Sequence, residues 1–404
     1  MTEMKTDVLI VGGGLIGGPL AVALAMAGLR VAVVDAERPQ TVLDPAFDGR
    51  ASAVALAPQR ALATLGLWTD IAPHAAAILQ IRVADGHSPL FLHYDHRDIG
   101  TEPFGWIVEN RALRSAIARR LDGLAQVSVL APRTIAEVER AAGGVTARLD
   151  DGTRIQATLA VAADGRGSAL RAGAGIGVTR WDYGQTAIVC TVAHGHPHGN
   201  VAQEHFLPAG PFAVLPLPGQ RSSVVWTEKS HLAGPILRQD DAGFLAELGS
   251  RFGDFLGDIR VEGPRFSYPL SLQFAQSYKA HRLVLVGDAA HGMHPVAGQG
   301  MNMGLRDIAA LAEVLADAHR LGLDIGQSTI LERYVRWRRF DNLLMLGLTD
   351  ALVRLFSNDV APVRMARDLG LAAVNRLGPM KRFFMRHAMG TVGELPRLLR
   401  GQPL

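Results

Sequence analysis

VLIVGGGLIGGPLAVALAMAGLRVAVVD, residues 8–35, reads as a strand, a turn, a helix and a second strand. Val8 to Val11 is a short apolar run, Leu15 to Ala27 is rich in Ala and Leu, and Gly28 is a natural helix stop. Gly12-x-Gly14-x-x-Gly17 lies between the first strand and the helix, where glycines allow a tight turn and let backbone approach a pyrophosphate at the helix N-terminus. Asp35 closes the second strand, where a carboxylate can accept hydrogen bonds from an adenosine ribose. The bland alternative is a tight turn in a nucleotide-free α/β domain, which the complete βαβ context disfavours. This is a dinucleotide site.

A second glycine-rich connection, GDAAHGMHPVAGQGMNMGLRD at 287–307, follows the apolar run Leu283 to Val286 and leads into a helical pattern at Ile308, Leu311 and Leu315. Simple connections take two to six residues; this one is far longer. Asp288 leaves a strand end where its carboxylate can bind a polyol hydroxyl such as flavin ribityl, or can cap a helix. The loop at 295–300 aims backbone N–H groups and a helix N-terminus at one ligand face, an arrangement that stabilises negative charge on a reduced flavin ring. Only one Rossmann fingerprint is present, so a second dinucleotide has no separate domain of that kind.

The chain has 404 residues, 48% hydrophobic and 20% charged, enough for two or three structural units. A single cysteine, Cys190, excludes an intramolecular disulfide and suits a reducing compartment; among β-like apolar neighbours it reads as an inert packed thiol. MTEMKT runs straight into DVLIV, leaving no room for a signal peptide, and no stretch offers the ~20 apolar residues of a membrane span. A cytoplasmic location follows, with peripheral contact at the inner membrane face as the variant. Residues 330–404 carry thirteen Lys or Arg against six Asp or Glu, a net +7 in a chain of +3 overall, so residues 1–329 carry −4. That bias suits a membrane surface, an acidic partner or a solvated helix face, and nucleic acid is disfavoured because no recognition motif accompanies it.

GGGLIGG, VAADGRGSALR at 161–171 and the loop at 287–307 together resemble the three signatures of class A flavoprotein monooxygenases of the p-hydroxybenzoate hydroxylase fold. YPLSLQFAQSY, RLVLVGDAAH and LERYVRWRRFDNLLMLGLTDALVRLFSND narrow the likeness to the ubiquinone-biosynthesis hydroxylases of the UbiH/UbiF/VisC type, over nearly the whole chain. Pro19 departs from the family's small non-proline residue, but in a first helical turn it costs no hydrogen bond. The resemblance implies an α/β fold: a Rossmann-like FAD-binding domain, an inserted antiparallel β-sheet substrate domain and a C-terminal helical region. The expected boundaries give FAD-binding parts at 1–72, 101–178 and 280–328, substrate parts at 73–100 and 179–279, and the helical region at 329–404.

The resemblance also assigns roles. Asp35 would hold the adenosine ribose and Asp288 the ribityl chain. Arg50 in FDGRASAVAL and Arg111 in VENRALRSAI match FAD-contacting arginines, while Asp164 and Gly165 match the DG motif tied to FAD and nicotinamide binding. Pro295, Gly298, Gln299 and Gly300 would line the flavin edge. Phe212, Leu215 and Pro216 are candidates for the substrate wall, with core packing the alternative. The implied enzyme is an FAD-dependent ring hydroxylase using O2 through a C4a-hydroperoxyflavin, with NAD(P)H or another donor, on a polyprenylated phenol or quinol. No classical catalytic acid or base is assigned. A small soluble aromatic substrate, or a non-catalytic flavin-bound subunit of an assembly, stand as alternatives. His194, His196 and His198 invite a metal reading, but no carboxylate or Cys completes a site, so an exposed loop is expected. His291 and His294 are expected to support loop geometry. KRFFMRH at 381–387 sets basic heads beside aromatic anchors, as an anionic membrane surface or an acidic partner in a biosynthetic assembly would require.

Overall fold

A sheet of five parallel strands carries the core, and its four inner members are apolar on both faces, as strands covered on both sides must be, while the outermost, Val127–Leu130, exposes Ser128 and Val129. In the computed structural model, which describes residues 3–86, 91–294, 298–356 and 377–404, the five lie in the order Leu283–Leu285, Leu159–Ala162, Val8–Val11, Val31–Val34, Val127–Leu130. Lys279–Ala280 adds an antiparallel edge strand. The helix Gly17–Met26 is buried from Gly17 to Ala25. It is apolar all round because it is enclosed by the sheet and by the helices Asn110–Asp122 and Gln299–Arg320. Smaller sheets flank this unit: Glu3–Lys5 with three strands between 135 and 157, and Ala51–Ala55 with Gly105–Glu109 and Ala75–Ile78.

The second large element is an eight-stranded sheet whose long members are Val178–His194 and Ile259–Ala275. The helices Ser230–Leu237 and Asp241–Phe252 cover one face over a core of Trp226, Phe212 and Phe244. The other face carries Leu215 and Phe206 toward an apolar layer shared with Ala51, Ala53, Ile107, Val353 and Met385. The edge strand is only His291–Gly292, which pairs with Gln273 and Phe274. The glycine-rich loop after Leu285 therefore hydrogen-bonds across from the parallel sheet to the antiparallel one. That bridge positions the site. Among the described residues, the α-helices Ser328–Phe356 and Gly378–Ala388 follow toward the C-terminus.

Candidate active site

The three fingerprint glycines do different work. Gly12 has φ +97°, and a Cβ there would stand 2.4 Å from the Ala163 carbonyl; one at Gly17 would stand 1.8 Å from the Gly12 carbonyl. A Cβ at Gly14 would meet nothing within 4 Å. The outer glycines are packing requirements, while the middle one faces open space that a phosphate can enter. Asp35 is already oriented toward this loop, its carboxylate accepting the Gly13 N–H at 2.6 Å and the Glu37 N–H at 2.8 Å.

Asp164 Oδ2 accepts the Ala169 N–H at 2.9 Å, capping a short helix, while its buried Oδ1 has no partner among the described residues. A buried acceptor left without a donor is costly unless a ligand supplies one. Gly165, at φ +77°, opens onto space. The next residue, Arg166, went unremarked in the sequence and turns out to be central. Its guanidinium donates to Asp288 Oδ2 at 3.1 Å, to the Ser271 carbonyl and Oγ at 3.0 Å each, and to the Met293 carbonyl at 2.8 Å. A Cβ at Gly292 would lie 2.9 Å from Arg166 Nε, which is why that position is glycine. Asp288 keeps nearly half its side chain exposed and its second oxygen without a protein partner among the described residues.

Beyond Asp288 the loop is held from below. Asp307 is fully buried; it accepts the Gly287 N–H at 3.1 Å, His291 Nε2 at 2.5 Å, Arg338 Nε at 2.9 Å and Asn342 Nδ2 at 3.0 Å. Burial works to raise its carboxyl, yet His291 and Arg338 hold it well below the usual carboxylate range. His291 thus supports the loop's geometry. His294 is buried, edge-on to Tyr183 at 5.2 Å, and burial with the nearby Arg166 charge lowers its ring to about 4, so it is neutral at physiological pH. Gly298 takes φ +61° and caps the helix Gln299–Arg320 with no side-chain hydrogen bond of its own. A Cβ on Gly298 would stand 2.8 Å from Ala53 Cβ, and Asn302 Oδ1 accepts the Ala55 N–H at 2.9 Å, pinning this end to the strand Ala51–Ala55. Gln299 and Gly300 form the first turn; Pro295 lies outside the described residues.

Arg50 and Arg111 part company. Arg50 joins a buried hub: Asp48 accepts Arg50 Nε at 2.8 Å, Arg114 Nη2 at 2.6 Å, Asn110 Nδ2 at 3.0 Å and the Tyr268 hydroxyl at 3.2 Å. The Asp288 carboxylate helps keep Arg50 protonated, so the two lie in one field. Arg111 is exposed at the start of its helix and outside this hub; Arg114, one turn on, takes the inward position. The substrate-wall candidates also divide, because strand neighbours point to opposite faces. Phe212 is fully buried under the covering helices, and Pro216 shares its parity; Leu215 alone points to the apolar layer on the open side.

The histidine trio is the expected exposed loop only in part: His196 is exposed in the loop after the strand, whereas His194 is not. His194 is buried at a strand end, with Nδ1 on the His196 carbonyl at 2.8 Å and Nε2 on Ser222 Oγ at 3.0 Å, and His198 Nε2 meets the Leu217 carbonyl at 2.9 Å. Cys190 is buried and its thiol is pushed up to about 12 by burial. Among the described residues, no helix is long and apolar enough to cross a membrane.

Contacts therefore link Asp35 to the Gly12–Gly14 loop, that loop to Asp164 and Arg166 to Asp288, while the helix Gln299–Arg320 reaches the Asp288 turn through Asp307. The open cradle at Gly14, the orphaned Asp164 oxygen and the uncapped helix fit FAD. Fold and site define an FAD-binding flavoprotein with an attached eight-stranded sheet. Residues 5–340 match the family described as FAD binding domain. A ubiquinone hydroxylase, UbiL, of Rhodospirillum rubrum is 58% identical across 100% of this chain and 94% of its own length. The 3-demethoxyubiquinol 3-hydroxylase of Escherichia coli is 33% identical, with coverage of 96% and 100%. Among solved structures, p-nitrophenol 4-monooxygenase PnpA from Pseudomonas putida superposes with TM-score 0.82 at 21% identity, covering 98% of this chain and all of that one, a likeness of fold. The chain belongs to the ubiquinone hydroxylase family of FAD-dependent monooxygenases.

Proposed function

We propose that this chain hydroxylates the ring of a polyprenylated phenol or quinol on the route to ubiquinone, with O2 and with electrons from NAD(P)H or another donor. The observation that carries this reading is the end-to-end 58% identity to a protein named ubiquinone hydroxylase. FAD, when bound, supplies O2 activation and transfer of one oxygen atom to an electron-rich ring. The chain's own residues bind and orient. Asp35 would hold the ribose, the N–H groups of the Gly12–Gly14 loop the pyrophosphate, and Asp288 a ribityl hydroxyl, with Arg166 keeping the carboxylate in place. Asp164 Oδ1 would accept from the same chain, and the start of the helix at Gln299 would stabilise negative charge on the ring. Leu215 and the apolar layer around it would exclude water.

A route for the substrate is supported by a cleft of about 430 Å³ beside that layer, lined by Trp181, Tyr183, Gln185, Pro208, Val353 and Arg354. Val353 and Tyr183 belong to both. Peripheral contact with an anionic membrane is supported by two helix faces. Phe340, Leu344 and Leu348, four residues apart, are 76%, 49% and 50% exposed, and Phe383 and Phe384 are exposed between Arg382 and Arg386. Lys381 is committed to Asp98 at 2.8 Å, so the two arginines are the cations this face offers.

The test is mass spectrometry of quinone intermediates in a strain lacking the gene, joined to turnover of purified enzyme under isotopically labelled O2. Accumulation of an unhydroxylated prenylated ring, and label in the product, are expected. A normal quinone profile, or label arriving from water, would refute the assignment.

A further inference from the structure

We propose that Glu204 is the residue that recognises the ring hydroxyl of the substrate, accepting its hydrogen bond on the open face of the eight-stranded sheet. This rests on the function proposed above and adds a polar contact to an otherwise apolar wall. The strand Val201–Leu207 alternates: Ala202 and Phe206 belong to the apolar layer, and Leu207 packs on the opposite core. Glu204 therefore faces the layer, paired across its two neighbours with Ala213 and Val83. Ala213 has the same parity as Leu215, so the carboxyl stands on the side that carries Leu215. The layer reaches Ala53, the residue against which Gly298 and the helix start are packed. The apolar layer that Glu204 faces thus extends to the strand that packs on the helix start assigned to the flavin ring.

No hydrogen bond or ion pair holds Glu204 among the described residues, although the residue is only half-buried and its layer is apolar. Its cross-strand neighbours are Ala213 and Val83, and the apolar layer on that side includes Phe206, Val353 and Phe356. Burial alone raises the carboxyl to about 7. The Glu204 oxygens are not sealed from solvent, so a ligand that enters the apolar layer can reach them and replace water as the donor. A phenol or quinol hydroxyl is such a donor, carried on a ring that suits the surrounding side chains. Nothing in AQEHFLPAG marks Glu204 out, because there it reads as one polar residue of an ordinary strand.

The experiment uses FAD-loaded wild type, Glu204→Gln and Glu204→Leu, with 2-prenylphenol and its methyl ether as probes, binding being read from perturbation of the flavin absorbance. Wild type is expected to favour the phenol by roughly 10–100-fold, the worth of a hydrogen bond to a charged or polar acceptor. Glu204→Gln should keep part of that preference and Glu204→Leu should lose it, with FAD affinity unchanged in both. The leucine variant should also melt at a higher temperature than wild type, since it removes an uncompensated carboxyl; a merely structural glutamate would lower it. A leucine variant that still prefers the phenol, or a wild type indifferent to the hydroxyl, overturns the proposal. Failure of wild type to hydroxylate any prenylated ring is read separately, from product analysis, and refutes the function while the binding preference still decides about Glu204.

Discussion

Asp288 shares its carboxylate between the protein and the outside: one oxygen meets Arg166 and the other faces the opening. Asp288→Ala removes a charge-assisted hydrogen bond to ligand of on the order of 1.5–3 kcal/mol, so FAD affinity should fall roughly ten- to hundred-fold. Arg166 keeps Ser271 and Met293, so the fold should survive. Titration of FAD into both apoproteins checks this, and equal affinities would count against the ribityl role. His294 offers a pH test. Its folded-state value near 4 lies below its ordinary 6.5, so the native state favours the neutral ring. The stability this group contributes is complete above pH 6.5 and is lost as pH falls from 6.5 toward 4, by on the order of 3 kcal/mol. Melting curves from pH 8 to pH 4 should show a steeper acid decline in wild type than in His294→Leu.

At the scale of elements, the glycine-rich loop is clamped by residues from outside it: Arg166 from the DG turn above, Arg338 and Asn342 from the helix Ser328–Phe356 below. Arg338→Met leaves Asp307 buried with a weakened set of partners, a change that costs about 3–5 kcal/mol when a buried ion pair loses one member. The expected result is a lower melting temperature together with earlier release of FAD, read by its fluorescence during heating. Melting without any change in FAD release would separate the helix from the loop. The loop and its flanking elements were legible in the sequence because strand, glycines and helix are consecutive. Its clamps were not, since Arg166, Arg338 and Asn342 are far from the loop along the chain and each alone reads as a surface polar residue.

For the whole molecule, an apolar layer behind a cleft and an exposed basic and aromatic face predict dependence on a lipid tail. One isoprenoid unit brings five carbons, roughly 3–4 kcal/mol of transfer free energy at ~0.8 kcal/mol per buried CH2-sized group, less what the tail loses in freedom and in leaving lipid. Turnover should therefore rise clearly from the tailless ring to one with one or two units, and efficient hydroxylation of the tailless ring would favour a small soluble substrate. Arg382→Ala with Arg386→Ala should weaken salt-sensitive binding to anionic vesicles. Unchanged binding would confine that helix to a structural or protein-contact role.

The consecutive motifs of the sequence by themselves determined the dinucleotide fold, FAD as the cofactor and the family, because strand, turn and helix signals and glycine requirements are local. Tertiary structure alone decided which candidates share a surface. Leu215 faces the open side while Phe212 is sealed beneath helices, because one residue of strand parity reverses the face. Arg50 lies in the hub around Asp48 while Arg111 stays outside it, because a helix presents only one of its faces inward. Glu204 and Arg166 acquire meaning only from what surrounds them: burial and partnership are properties of packing between distant segments, and no short stretch of chain encodes them.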